Sequence, residues 1–292
     1  MQFVSFMKPG QSSPNLGILD RDLVLDVAAA AAKTGTAVPT TFNDLYSEGL
    51  AALPKLQQLA TDVEAETALW MPLSEVSYGA LSDAPEKVIC IGLNYKKHAE
   101  EANMAIPTNP VVFSKFANSL CGHGVDVDVT GLEQLDYEAE LALVIGKEGK
   151  HIAADDALDH VFGYCNANDL SERALQFDSG QWLHGKTLDD FLPMGPWLVT
   201  ADEFGNPNDK TIVGRLNGEV RQQSNTADMI FDVKTIIAYV SKYMTLKPGD
   251  VIITGTPEGV ILGFHNQQWL KAGDTYEVEI EGLGVLRNTL TA

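Results

Sequence analysis

The sequence predicts an α+β protein that is mostly β, with a small α+β N-terminal domain over residues 1–80 and a larger β-rich domain over 81–292. Three observations predict it. Short apolar runs bounded by Gly, Pro, Asn and Asp recur after residue 80, few helical patterns separate them, and the first eighty residues have a different, Ala- and Leu-rich texture. A doubly wound sheet or a TIM barrel would need a helix after nearly every strand.

In chain order, GILDRDLVLDV (17–27) splits two apolar stretches with Asp20-Arg21-Asp22 and reads as a hairpin. It runs into AAAAAKTG, a short helix with a glycine stop. Leu53, Leu56, Leu59 and Val63 then form one helix face. Past the polar LSDAPEK segment, strands are expected at VICIGLNY (88–95), VVFSKF (111–116), YEAELALVIGK (137–147), HVFGYCNAND (160–169), PWLVT (196–200), TIVGRLNG (211–218), DVIITGT (250–256) and YEVEIEGLG (276–284). Helices are expected at HAEEA (98–102), at the start of LSERALQF (170–177) and at VKTIIAYVSKYM (233–244).

The 292 residues carry 20 Lys+Arg against 40 Asp+Glu, a net charge of −20, which argues against nucleic-acid and anionic-membrane partners. Charged residues are only 21% and hydrophobic ones 45%, so this is a core-forming chain and not a disordered polyanion. Cys90, Cys121 and Cys165 are far apart, which excludes a disulfide framework and suits a reducing compartment. The start has no basic-then-apolar leader pattern, and no apolar run approaches the ~18–20 residues of a membrane helix. A cytoplasmic protein is expected.

Candidate chemistry begins at Asp136-Tyr137-Glu138-Ala139-Glu140. In a strand, Glu138 and Glu140 share a face with Cα atoms roughly 6.6 Å apart. They form either a solvated acidic face or two ligands converging on one cation, since two inward carboxylates without a cation would raise each other's pKa. Asp169 ends a strand-like run just before a helix-like one, as an N-cap, a third ligand or both. Three carboxylates with no His or Cys form a hard oxygen site suited to Mg²⁺ or Mn²⁺.

His98 and Glu101 are spaced i,i+3, so a helix puts them on one face, and a carboxylate that orients an imidazole equips it as a general base. Spacing does not choose between Glu100 and Glu101, and an exposed helix with ordinary ion pairs has the same pattern. Lys186 falls in a loop-like HGKTLDD stretch, either solvated or placed to neutralise an oxyanion. The Gly-rich TGTPEG turn could hold a substrate carboxylate with backbone N–H groups and the Thr256 hydroxyl. His123, His151, His160 and His265 have no ligand spacing, and no phosphate loop, nucleophile elbow or dinucleotide fingerprint is present.

Taken together and in order, GLNYKKHAEE, VVFSKFANSL, DYEAELALVIGK, HVFGYCNANDLSERALQ, GKTLDDFLPMGPWL, RLNGEVRQ, MIFDVKTIIAYVS and LKPGDVIITGTPEGV resemble the fumarylacetoacetate hydrolase family, with acylpyruvate hydrolases and 2-hydroxyhepta-2,4-diene-1,7-dioate isomerases as the similar members. The eight blocks span roughly residues 85–290, and the N-terminal likeness is looser. The resemblance implies a mixed β-sandwich roll, a homodimer, and one Mg²⁺ or Mn²⁺ held by Glu138, Glu140 and Asp169. It implies a His98–Glu101 pair on a lid, a site lysine at Lys186, a substrate-binding Gln176 and a substrate-binding Thr256. Two departures concern the substrate rim. The acidic residue of the usual T-A-R-D-x-Q run stands ahead of the arginine, in Ser171-Glu172-Arg173-Ala174-Leu175-Gln176, and the usual G-V-G is Gly259-Val260-Ile261.

The activity expected is hydrolytic C–C cleavage of a 2,4-diketo acid of the acylpyruvate type through a metal-bound enolate, with His98 activating water and Lys186 stabilising the oxyanion. The alternative on the same site is decarboxylation of oxaloacetate or keto–enol isomerisation of a similar 2-oxo acid. A non-catalytic, metal-stabilised binding protein is the alternative of another class.

Overall fold

The computed structural model describes residues 1–8, 13–82, 84–101 and 103–292. The expected mostly β, α+β class is observed, as two mixed sheets and a two-stranded antiparallel ribbon with helices on their flanks.

The larger sheet has twelve strands, and its centre positions the site. Ala139–Ile145 lies there, antiparallel to Val161–Asn168 on one side and to Val251–Ile253 on the other. Val251–Ile253 pairs in parallel with Val88–Gly92, and the path on that side ends with Val111–Lys115. On the far side Leu192–Thr200 joins Val161–Asn168 to the N-terminal strand, with Gln2 opposite Val199 and Phe3 opposite Leu198. The N-terminal strands Gln2–Met7, Asn15–Asp20, Leu23–Asp26 and Trp70–Pro72 therefore continue the same sheet.

Every residue of Ala139–Ile145 is buried, so alternation along it separates two cores and not core from solvent. Ala139, Leu141, Leu143 and Ile145 pack with Tyr276, Val278, Ile280 and Leu286 of a five-stranded sheet, and with the helix Val233–Ser241. Ala142 and Val144 face the other way, into a layer shared with Leu45, Tyr46, Leu56 and Leu59 of the N-terminal helices. Glu138 and Glu140 have the parity of this second face, at the end where the apolar layer gives way to charge.

Most expected elements appear. The 17–27 hairpin turns at Arg21, which has φ 55°, and the Ala-rich helix Val27–Thr34 is capped by Asp26 and closed by Gly35 at φ 72°. Leu53–Asp62 buries Leu56 and Leu59. The helix expected at 98–102 is observed as Lys96–Glu101, and Ala102 lies outside the described residues. Several strands pass unnoticed in the sequence, among them Gln2–Met7 and Trp70–Pro72 of the larger sheet and two strands of the five-stranded sheet. Glu219–Asn225 (EVRQQSN) is polar because it is half exposed at the sheet edge, and Val285–Thr291 carries Arg287 and Asn288 among its alternating apolar residues. Among the described residues no helix is long and apolar enough to cross a membrane.

Candidate active site

Glu138, Glu140 and Asp169 come together. One carboxylate oxygen from each lies within 4.8 Å of the others, and all three residues are buried. The pairing of Ala139 with Asn168 sets this up, since it puts Glu138 beside Asp169, whose N–H donates to the Glu138 carbonyl at 3.0 Å. The Asn168 side chain accepts the Glu138 N–H at 3.0 Å and locks the corner.

Asp169 is not the N-cap that its position suggests. The helix begins at Arg173, and Glu172 caps it by accepting the Leu175 N–H at 2.6 Å. The displaced acidic residue of the SERALQ run thus caps the helix and also accepts the Gln134 N–H. Both Asp169 oxygens instead face lysines: Lys115 Nζ on Oδ1 at 2.5 Å and Lys186 Nζ on Oδ2 at 2.7 Å. Lys186 also donates to Glu138 at 2.9 Å. It sits on a one-turn helix, Leu183–Lys186, where the sequence reads as a loop, because four residues are too few for a visible helical period.

Arg173 completes the cluster. It donates from Nε and Nη2 to Asp136, from Nη2 to Glu138 at 2.7 Å and from Nη1 to Gln176 at 2.8 Å. Gln176, which lines the cavity, is thereby held by its oxygen. Lys115 and Asp136 are site residues that sequence reasoning misses. Lys115 shares the face of Phe113 in an edge strand, where a lysine ordinarily points to solvent.

The electrostatics single out Glu140. Burial works against the charged form of Glu138, but Lys186 and then Arg173 hold its carboxyl down to about 2. Burial would pull the Lys186 ammonium down, yet Asp169 and Glu138 hold it above its ordinary value, while burial wins at Lys115 and lowers it. Glu140 has no ion pair among the described residues and only the Gly255 N–H at 2.6 Å, so burial, then Asp169 and Glu138, push it well above the carboxylate range. Four buried carboxylates (Asp136, Glu138, Glu140, Asp169) face three buried cations (Lys115, Arg173, Lys186). A hard divalent cation fits this site, because it would neutralise the one unpaired carboxylate and is offered oxygen ligands only.

The His98–Glu101 pair stands opposite. His98 Nδ1 lies 3.0 Å from Glu101 Oε1, and His98 lines the cavity together with Glu138, Glu140, Arg173, Gln176 and Lys186. Geometry separates the two candidate glutamates: Glu100 is more than half exposed and lies 3.9 Å from Lys96. Glu101 also accepts the Gly259 N–H through both oxygens, tying the short helix to the TGTPEG loop.

That loop is committed internally. Its N–H groups donate to Glu140 (Gly255), Glu101 (Gly259) and Asp136 (Ile261 and Leu262). The Thr256 hydroxyl donates to the Ala139 carbonyl at 2.9 Å and accepts from Gln222 at 2.8 Å, while the residue still lines the cavity. Gly255 has φ 99°, and a Cβ there would come 2.7 Å from that of Asn94, so the turn requires glycine.

Residues 87–291 match the family described as fumarylacetoacetate (FAA) hydrolase, C-terminal. The chain belongs to the fumarylacetoacetate hydrolase family. It is 40% identical over 294 residues to the oxaloacetate tautomerase FAHD2A, mitochondrial, of Bos taurus, covering 99% of this chain and 91% of that one. The Homo sapiens protein of the same name is 41% identical over 293 residues, with the same coverage. Among solved structures, the fumarylacetoacetate hydrolase of Exiguobacterium antarcticum has a TM-score of 0.85 at 35% identity, covering 100% of this chain and 99% of that one. The maleylpyruvate hydrolase of Sphingobium sp. SYK-6, in complex with manganese(II) and pyruvate, has a TM-score of 0.77 at 30% identity, with the same coverage.

These relatives overturn the cytoplasmic expectation, since the bovine and human tautomerases are mitochondrial. Reduced thiols and an acidic charge balance suit either compartment, so composition had no power to separate them.

Proposed function

We propose that this family member is a divalent-cation-dependent enzyme that interconverts the keto and enol forms of oxaloacetate or a closely similar 2-oxo acid. The observation that carries the proposal is the His98–Glu101 pair at 3.0 Å, whose His98 lines one cavity with Glu138, Glu140 and Lys186, the two glutamates being grouped in turn with Asp169. The likeness to oxaloacetate tautomerases along nearly the whole chain supports it over the hydrolase expected from the sequence.

Glu138, Glu140 and Asp169 would hold Mg²⁺ or Mn²⁺. When bound, the ion supplies Lewis-acid positive charge to the oxygens of a 2-oxo carboxylate. His98 takes a proton from the carbon next to the 2-oxo group, and Glu101 holds the imidazole in place and stabilises its charged form. Lys115, Arg173 and Lys186 offset three of the four buried carboxylates, so that with a divalent ion bound the site would carry the net positive charge that favours an acidic substrate and its enolate. Returning the proton from His98 to carbon, or protonating the enolate oxygen, gives the keto or the enol form.

A second reading, hydrolysis of an acylpyruvate, has its own support. The same His98 could take a proton from water, and the Sphingobium neighbour is a hydrolase that holds manganese and pyruvate. Decarboxylation of oxaloacetate would need the carboxylate cluster and not His98. The proposal includes a homodimer, which light scattering would test.

The test follows decay of the oxaloacetate enol absorbance beside cleavage of acetylpyruvate and maleylpyruvate. Faster enol–keto exchange with Mn²⁺, abolished by EDTA, is the expected result. Acylpyruvate cleavage without any effect on oxaloacetate exchange would move the assignment to the hydrolase.

A further inference from the structure

We propose that Trp182 is the wall that sets how long an acid the site accepts, an inference that rests on the 2-oxo-acid reading above. The site cavity is small, about 40 Å³. At about 10–15 Å³ per water, that is room for about three waters. Adjoining it, along the edge strand Val111–Lys115, runs a second and far larger space of about 620 Å³, a groove open to solvent on one side. Phe113 and Trp182 line both, and no other residue does so among the described ones.

The two rings form one partition. Their centroids are 5.5 Å apart at 70°, the edge-to-face geometry that aromatic pairs favour. Phe113 also lies 5.3 Å from Lys186 Nζ, so the partition stands directly beside the charged end of the site. The indole is seated by a missing side chain: a Cβ on Gly92 would come 2.7 Å from Trp182 Cζ3. Beyond the indole the groove offers Val111, Val112, Leu183 and Met244, beside polar Glu86, Lys87, Ser114 and Gln181. Its apolar stretch suits an unbranched apolar tail. An acid whose carboxylate is held near Lys186 therefore meets the aromatic partition before it can reach this space, and short acids are the ones accepted.

The test uses the Mn²⁺-loaded protein, with titration calorimetry of straight-chain 2-oxo acids from pyruvate to 2-oxooctanoate on wild type, Trp182→Phe and Trp182→Ala. Wild type is expected to gain no affinity with chain length. Trp182→Ala is expected to gain roughly fourfold for each methylene that enters the groove, reaching tenfold or more for the longest acid, with Trp182→Phe in between. Should Trp182→Ala fail to fold, Trp182→Phe decides the matter. The same chain-length profile in all folded proteins overturns the proposal, as does an absence of binding by every acid. Oxaloacetate exchange is measured separately. A chain-length shift without exchange keeps the wall and defeats the tautomerase reading, whereas exchange without a shift does the reverse.

Discussion

The Glu101 carboxylate accepts the backbone N–H of Gly259 through both oxygens, at 3.1 and 3.0 Å. Its Oε1 is also the atom that meets His98 Nδ1. One side chain therefore orients the proposed base and fastens the segment carrying it to the loop after Val251–Ile253. Gly259 has φ 100°, and a Cβ there would come 2.2 Å from the Arg221 carbonyl oxygen, so the anchoring N–H is presented by a backbone that only glycine adopts without strain.

These two tasks of Glu101 come apart by mutation. Glu101→Gln keeps an oxygen for Gly259 but loses the charge beside His98, whereas Glu101→Ala loses both. Removing a proton-transfer group typically costs about 10²–10⁴ in rate. Steady-state kinetics should show a large fall in kcat for both variants, and limited proteolysis near residues 96–106 should accelerate only for Glu101→Ala. Equal proteolysis of the two would contradict the anchoring role.

Glu140 should trade stability for cation binding. Its buried carboxylate has no cationic partner among the described residues, so Glu140→Gln removes a group that folding must either bury charged or protonate, and should raise the melting temperature in EDTA, by roughly 2–4 °C for each kcal/mol gained. With saturating Mn²⁺ the order should reverse, because wild type gains the ion's binding energy and the variant does not. Thermal melts in both conditions check this, and a variant that melts lower in EDTA would refute it.

Lys115 is predicted to be structural support for Asp169. Breaking one partner of a buried pair typically costs about 3–5 kcal/mol. Lys115→Met should lose close to the lower figure, since Lys186 still faces Asp169, and the loss should shrink when Mn²⁺ is bound. Denaturant melts with and without the ion measure the difference, and an undiminished loss would argue against a shared charge role.

His123 gives a pH dependence remote from the site. Burial, and then Arg287, lower its pKa, and its Nδ1 accepts the Arg287 N–H at 3.1 Å. A lowered folded value means that the unfolded chain takes up the proton first as pH falls. Stability should therefore decline from about pH 6.5 downward, through the lowered folded value. His123→Gln, which keeps an acceptor, should flatten that part of the stability–pH curve. An unchanged slope would remove His123 as its source.

Much of this arrangement was legible in the sequence because strand parity is strict. Glu138 and Glu140 alternate with apolar residues, and Asp169 ends a run that pairs with theirs. The i,i+3 spacing placed His98 and Glu101 together, although it could not reject Glu100. What stayed hidden depends on tertiary pairing. Lys115 reads as an ordinary edge-strand lysine until the neighbouring strands bring Asp169 to it. Arg173 and Glu172 exchange the order usual in the family, and only the helix start shows that one bridges carboxylates while the other caps. The loop N–H groups looked available for substrate, yet Glu101, Glu140 and Asp136 arrive from distant segments to accept them.

The most direct test of the central claim is deuterium exchange at the carbon next to the 2-oxo group of oxaloacetate, followed by NMR in D₂O with Mg²⁺, for wild type and His98→Ala. Mg²⁺ keeps line broadening small. Enzyme-accelerated exchange is expected, lost with EDTA and at least a hundredfold lower in His98→Ala, in keeping with the ~10²–10⁴ range for proton transfer. Exchange that His98→Ala leaves intact, or no acceleration by the wild-type protein, would contradict it.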